Sequence, residues 1–354
     1  MFVALRDLRF ARGRFVLIGS VVALITILVG FLSGLTGGLA TQNISAVLQL
    51  PGDRIVFSSP GGEAASYSDS TVTEKQAAAW AATDGVTSAQ PIGITQTRAE
   101  AGGDRAAIAV FGVQPGFAST APTESGHVSL AAPAAKALGV KAGGSVTIGG
   151  ADYVVDSVGG DAWYSHTPVV WMTLGDWQIY AAATGSPNSY ATVLAVSGTP
   201  DWNAADTATA TVSTSVLGSL TALSAFRSEI GSLLLMVAML FGISGLVIGA
   251  FFTVWTMQRK GDIAVLKALG ASTRSLRKDA LGQALVVLVA GIGVGLAVVT
   301  ALGLLAGSAL PFLLSPVTTV LPGVIMIALG LAGAAFALRS VTSADPLTAL
   351  GSTR

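Results

Sequence analysis

From Ala280 to Leu338 the chain runs for 59 residues without one charged side chain. A helix crosses the hydrocarbon of a bilayer with about 20 apolar residues, so this run predicts two membrane spans. Pro311, Pro316 and Pro322 mark the turn between them, because proline interrupts helices. Two further stretches share this character: residues 15–39 are apolar with no charge before Asp53, and residues 231–258 lie uncharged between Glu229 and Arg259. The reading is four transmembrane helices, at 15–39, 231–257, 280–310 and 319–338. The first is longer than the 7–15-residue apolar core of a signal peptide, so it reads as an uncleaved anchor. Composition agrees: 11% of residues are charged and 52% apolar, with a mean hydropathy of +0.69. A soluble domain carries about 25% charged residues, which speaks against a purely soluble protein and more strongly against a disordered or nucleic-acid-binding one.

The 19 basic and 19 acidic residues sum to zero, but they are unevenly placed. Arg6, Arg9, Arg12 and Arg14 precede the first span. Arg259, Lys260, Lys267, Arg274, Arg277 and Lys278 separate the second from the third, and Arg339 and Arg354 follow the fourth. Those segments hold twelve bases and four acids, whereas residues 41–230 hold seven bases and fifteen acids. The positive-inside rule then puts the entry segment 1–14, the loop 258–279 and the tail 339–354 in the cytoplasm. Residues 40–230 are expected outside, with 311–318 as a short external loop. The expected fold is an α-helical membrane protein with four transmembrane helices and an inserted extracellular α+β domain, in the plasma membrane.

Within the external segment, alternating runs predict strands at Asp53–Phe57, Ala106–Val113, Ser145–Val158 and Tyr190–Val196. The third reads as a hairpin around Gly149-Gly150. Helices are expected near 72–82 and 130–138, and the polar stretch 197–220 is expected to lead back into the membrane. Without cysteine there is no disulfide framework and no thiolate chemistry. No G-x-x-x-x-G-K-[ST] or H-E-x-x-H occurs, so the sequence offers no phosphate loop, no metal site of its own and no support for an enzyme.

Glu229 directly precedes the second span. An ionisable residue at a membrane's edge is costly unless paired or wet, so it reads either as functional or as a headgroup-level carboxylate paired with Arg227. Met236 follows seven residues later, with Met239 nearby; such methionines pack or face lipid, although a thioether can also bind haem iron. The stretch Asp161–Pro168 gathers Trp163, Tyr164 and His166, one of only two histidines. Phenol and imidazole are haem-iron ligands as well, and an interfacial aromatic belt is the plainer alternative. Tyr67, in Ser66-Tyr67-Ser68, is a weaker third candidate.

In the loop RKGDIAVLKALGASTRSLRKDA, residues Ile263, Leu266 and Leu269, with Val265, form the apolar stripe of a short helix closed by Gly270. It reads as a basic helix on anionic headgroups, or as a docking helix that enters a groove on a cytoplasmic partner. The stretch Lys260–Ser272 resembles the "EIAVLKALGAS" signature of ABC-transporter permeases of the cell-division and macrolide-exporter type, with Asp262 where glutamate is usual. Ser343–Leu350 resembles that family's "DPLxAL" tail. Ala134–Val140 with the following Gly143–Ile148 strand, and Ala4–Phe10, are similar to its external domain and entry helix.

The resemblance implies a four-span subunit that forms a homodimer on two copies of a separate ABC ATPase. ATP would then be hydrolysed on the partner, with Asp262, Ile263, Val265, Leu266, Lys267 and Leu269 as docking residues. Members extrude amphiphiles, release lipoproteins or control external hydrolases mechanically. The chain most resembles the Gram-positive haem-exporting permeases of the family. That resemblance implies haem as substrate rather than bound cofactor, held by Glu229 and Tyr164, with Tyr67, Met236 and His166 as further candidates. The alternative implied is a mechanotransmitting subunit that controls an extracellular enzyme or lipoprotein and moves no small molecule.

Overall fold

The computed structural model describes residues 12–117, 121–258, 261, 265, 269–306 and 310–342. Most of the expected entry helix and tail, and the docking residues Asp262, Ile263, Leu266 and Lys267, lie outside the described residues. The chain divides into two units, one of Met1–Gly38 with Ser232–Arg354 and one of Leu39–Gly231. The first long helix, α1 (Arg12–Leu48), starts in the former and ends in the latter.

The second unit is a mixed α+β domain. Its elements in order are β1 (Arg54–Ser58), α2 (Glu74–Ala81), β2 (Val86–Ala101), β3 (Asp104–Val113), β4 (His127–Leu130), α3 (Ala132–Ala137), β5 (Ser145–Ile148) and β6 (Ala151–Val158). They continue with β7 (Trp163–Tyr164), β8 (Thr167–Thr173), α4 (Leu174–Ala183), β9 (Val193–Gly198), α5 (Trp202–Thr209), β10 (Thr211–Ser215) and α6 (Val216–Ser219). Strand β2 organises the sheet. Its first half pairs with β9, its second half with β3, and its end with β5. From β3 the order runs through β8, β4, β6 and β5, so pairing of β5 with β2 closes these strands on themselves. The β3–β8 and β4–β6 pairs are parallel and the other pairs antiparallel. The β5–β6 hairpin turns on Gly149 and Gly150, both left-handed, as a two-residue turn between right-twisted strands requires.

Inside the closed sheet lie Ile108, Val110, Leu130, Ile148, Val155 and Met172, covered by Leu138 just after α3 and by Trp177 of α4. Gly93 and Gly112 are register partners on β2 and β3, and the Trp177 ring rests on both. A Cβ at either position would lie 2.0 or 2.3 Å from that side chain. The indole Nε1 donates to Thr95 Oγ1 at 3.0 Å. A second core gathers Phe57, Phe111 and Trp171 with Tyr67 and Tyr164.

Three features depart from the sequence reading. Residues 197–220, expected as a lead into the membrane, hold the end of β9, then α5, β10 and α6. Asp201 caps α5 by accepting from Ala204 N, and Asp206 accepts from Thr211 Oγ1 and from Ser213 N and Oγ. Those bonds hold β10 along β1, in a segment too short and too rich in small polar residues to show an alternating pattern. Strand β2 and helix α4 carried no readable signal either. Third, Pro322 lies inside a helix rather than in the turn between spans. That helix starts at Pro316, where the absent N–H costs no intrahelical bond, and Ser315 Oγ accepts from Thr318 N.

The other unit contains α7 (Ser224–Gln258) from Ser232 onward, α8 (Thr273–Ala306) and α9 (Pro316–Thr342), with the first part of α1. These four helices are each long and apolar enough to cross a membrane. At about 1.5 Å per residue, the 37, 35 and 34 residues of α1, α7 and α8 exceed a ~30 Å hydrocarbon core, so each continues beyond its apolar stretch. Packing in this unit depends on small residues. A Cβ on Gly291 would stand 2.8 Å from the Gly19 carbonyl oxygen, and one on Gly333 would stand 2.8 Å from Gly249 Cα. Lipid supplies no hydrophobic drive between helices, so close backbone approach of this kind is what brings them together. Val22, Phe252, Leu288, Ile292 and Met326 fill the spaces left.

Candidate functional site

The site is built on the β7–β8 hairpin. Tyr164 pairs with Thr167, which leaves Ser165 and His166 as a two-residue tip. Both are left-handed, at φ +49° and +63°, and neither is glycine. This geometry suits the hairpin but is costly for residues with a Cβ, so the surroundings must impose it. Backbone bonds to α1 do so: Ser165 N donates to Asn43 O and His166 N to Gln42 O, each at 2.9 Å. Trp163 N donates to Ser45 Oγ at 2.9 Å, and Gln96 Nε2 donates to Ser165 O and Thr167 Oγ1. The hairpin tip is thereby held on the end of α1 that belongs to this domain.

Held in this way, the imidazole of His166 meets the carboxylate of Glu229, which lies in the first turns of α7. Nε2 is 3.0 Å from Oε2 and 3.1 Å from Oε1. Asn43 Nδ2 donates to Glu229 Oε2 at 3.3 Å and lies 3.4 Å from His166 Nε2. Asn43 is 1% exposed, and its Oδ1 finds no hydrogen-bond partner among the described residues. His166 and Glu229 keep 32% and 42% of their side-chain surface. The group presents one nitrogen and two carboxylate oxygens at a partly exposed position.

Of the residues singled out in the sequence, Glu229 and His166 come together here. Tyr164 and Tyr67 do not join them. Both are buried, at 6% and 4% exposure, edge-to-face with each other at 6.0 Å, and packed against Phe111 and Phe57 respectively. Tyr67 Oη donates to Ser219 Oγ at 3.0 Å. Burial pushes both phenols above the ordinary tyrosine range, which keeps them neutral. As folded they are core side chains, and Tyr164 anchors the strand that ends in the His166 tip. Met236 is on the part of α7 in the other unit and is about half exposed. In the loop, Leu269 N donates to Val265 O over one helical turn, both side chains are exposed, and Gly270 follows left-handed.

Asn43 and Ser45 were not legible as site residues, because each is a small polar interruption in the tail of an apolar run. The second histidine, His127, belongs elsewhere: its Nδ1 lies 2.5 Å from Asp156 Oδ1. Among the described residues, no three His, Asp or Glu side chains gather as a metal site.

Residues 234–346 match the family described as FtsX-like permease C-terminal. Over 99% of its length the chain is 25% identical to 99% of a Staphylococcus epidermidis protein with the provisional name hemin transport system permease protein HrtB. A protein of the same name from Staphylococcus haemolyticus is 32% identical over 36% of this chain and 37% of its own. Among solved structures, the extracellular domain of the noncanonic ABC-type transporter YknZ covers 44% of this chain and 87% of its own, at 14% identity and a TM-score of 0.32. The periplasmic region of MacB from Actinobacillus actinomycetemcomitans covers 49% of this chain and 94% of its own, at 10% identity and a TM-score of 0.37. The C-terminal third of the chain is therefore similar to the FtsX-like permease domain.

Proposed function

We propose that this permease is the membrane subunit of an exporter that takes haem, or a planar amphiphile like it, out of the membrane. The observation that carries this reading is Glu229, paired with His166 and oriented by buried Asn43, because it sets a carboxylate able to meet iron directly before the uncharged part of α7. The end-to-end similarity to proteins named for hemin transport supports the same substrate. Haem is cargo here, and the chain needs no cofactor of its own. ATP would be hydrolysed by a separate subunit, two copies of which dock on a homodimer through Asp262, Ile263, Val265, Leu266, Lys267 and Leu269. The charge distribution supports cytoplasmic termini and an extracellular domain in the plasma membrane.

Titration of haem into the purified full-length protein tests the substrate. The expected result is a shifted haem absorption band that Glu229→Ala weakens by roughly tenfold or more, about 1.4 kcal/mol of binding per tenfold. No band shift in the wild type overturns the haem reading and leaves the permease standing. A band that Glu229→Ala leaves intact overturns the site.

A further inference from the structure

We infer that His166 guards Glu229: the strained hairpin tip holds its imidazole against both carboxylate oxygens, and a substrate that engages both oxygens does so by displacing it. This rests on the reading of Glu229 as a substrate contact and adds how access to it is regulated. Nε2 lies at nearly equal distance from both carboxylate oxygens, so a ligand that engages both oxygens takes the place of that contact. Iron and the imidazole compete for the same lone pairs.

The tip is suited to such an exchange. Ser165 and His166 adopt a backbone conformation that L side chains rarely take, and the bonds to Gln42 O and Asn43 O impose it. A conformation held against its own preference is one that a ligand can release, since displacement of His166 gives back part of the strain. Asn43 stays behind as the donor to Glu229 Oε2 and keeps the carboxylate oriented while the imidazole leaves. With the site competent only in the open fraction, the apparent dissociation constant equals the intrinsic one divided by that fraction.

Two substitutions should therefore act in opposite directions on the full-length protein. His166→Ala removes the competitor and should tighten haem binding about 2- to 5-fold, the range expected from losing one partly exposed polar side-chain contact. Ser165→Gly relaxes the left-handed tip, favours the closed form and should weaken binding by a similar factor. Weaker or unchanged binding in His166→Ala overturns the proposal, the former by making the imidazole a ligand. A second arm needs no haem. In the ligand-free protein, Glu229→Gln should speed hydrogen exchange at the Ser165 and His166 amides, and unchanged exchange overturns the guard. If no form of the protein shifts the haem band, the haem reading fails, and the exchange arm alone decides the guard.

Discussion

His127 shows how one side chain can make the domain sensitive to pH. Its Nδ1 contacts Asp156 on the adjacent strand β6, and Nε2 lies 4.0 Å from Glu124 in the preceding turn. Asp176, at the start of α4, accepts from Ser125 Oγ and Gly126 N and adds its charge to the same corner. The Asp156 hydrogen bond is the largest influence and holds the imidazole above its ordinary range, against a smaller opposing effect of burial. The sign follows by linkage. A histidine with a raised folded-state pKa contributes stability that is complete below the unfolded value of about 6.5 and is lost as pH rises through the folded value. The unfolding temperature of the wild type should accordingly exceed that of Asp156→Asn below about pH 6.5, with the gap closing as pH rises. A gap that does not change with pH would show that the contact is held without the proton.

At the scale of elements, the membrane unit rests on glycine faces, and this gives a test with an internal control. Gly333 meets the Gly249 backbone, whereas Gly293, on α8, has nothing within 4 Å of where its Cβ would be. Gly333→Val should lower thermal stability in detergent by roughly 1–3 kcal/mol, as overpacking does, while Gly293→Ala should leave it nearly unchanged. Equal effects at both positions would mean that helix propensity rather than contact governs this unit.

The same elements show what could be read from the residues alone. The spans were legible because a charge-free run of this length has few other solutions, and the helix expected near 72–82 is α2, which the structure shows opened by a capping box of Thr73 and Gln76. Strand β2 was not, since Pro91 and Gly93 interrupt it and its halves face different partners, so no single alternation runs through its 16 residues. The site was legible only as separate letters. Glu229 stood out as an acid at the edge of a span and His166 as a rare imidazole. Their pairing across 63 residues depends on a hairpin tip seated on α1, for which the intervening chain carries no signal.

For the whole molecule, zero net charge is the sum of a basic set around the spans and an acidic set in the inserted domain. Helix α8 sharpens this, because it begins at Thr273, ahead of the uncharged run, and carries Arg274, Arg277 and Lys278 on its first turns. All three are exposed. Long basic side chains at a helix end keep their charge in the headgroup region while the stem covers apolar surface, which suits the anionic inner leaflet. The absence of cysteine turns this into a clean topological experiment, since any introduced thiol is the only one in the chain. Ser68 and Ser186 are exposed in the domain, and Ser275 is exposed among the bases of α8. In intact cells a membrane-impermeant maleimide should label Ser68→Cys and Ser186→Cys and leave Ser275→Cys unmodified until the membrane is opened. The reverse pattern would invert the protein, place the Glu229–His166 pair on the cytoplasmic side, and require uptake rather than export. Labelling of all three in intact cells would break the four-span reading itself, because only an odd number of crossings between Ser186 and Ser275 separates the two classes of site.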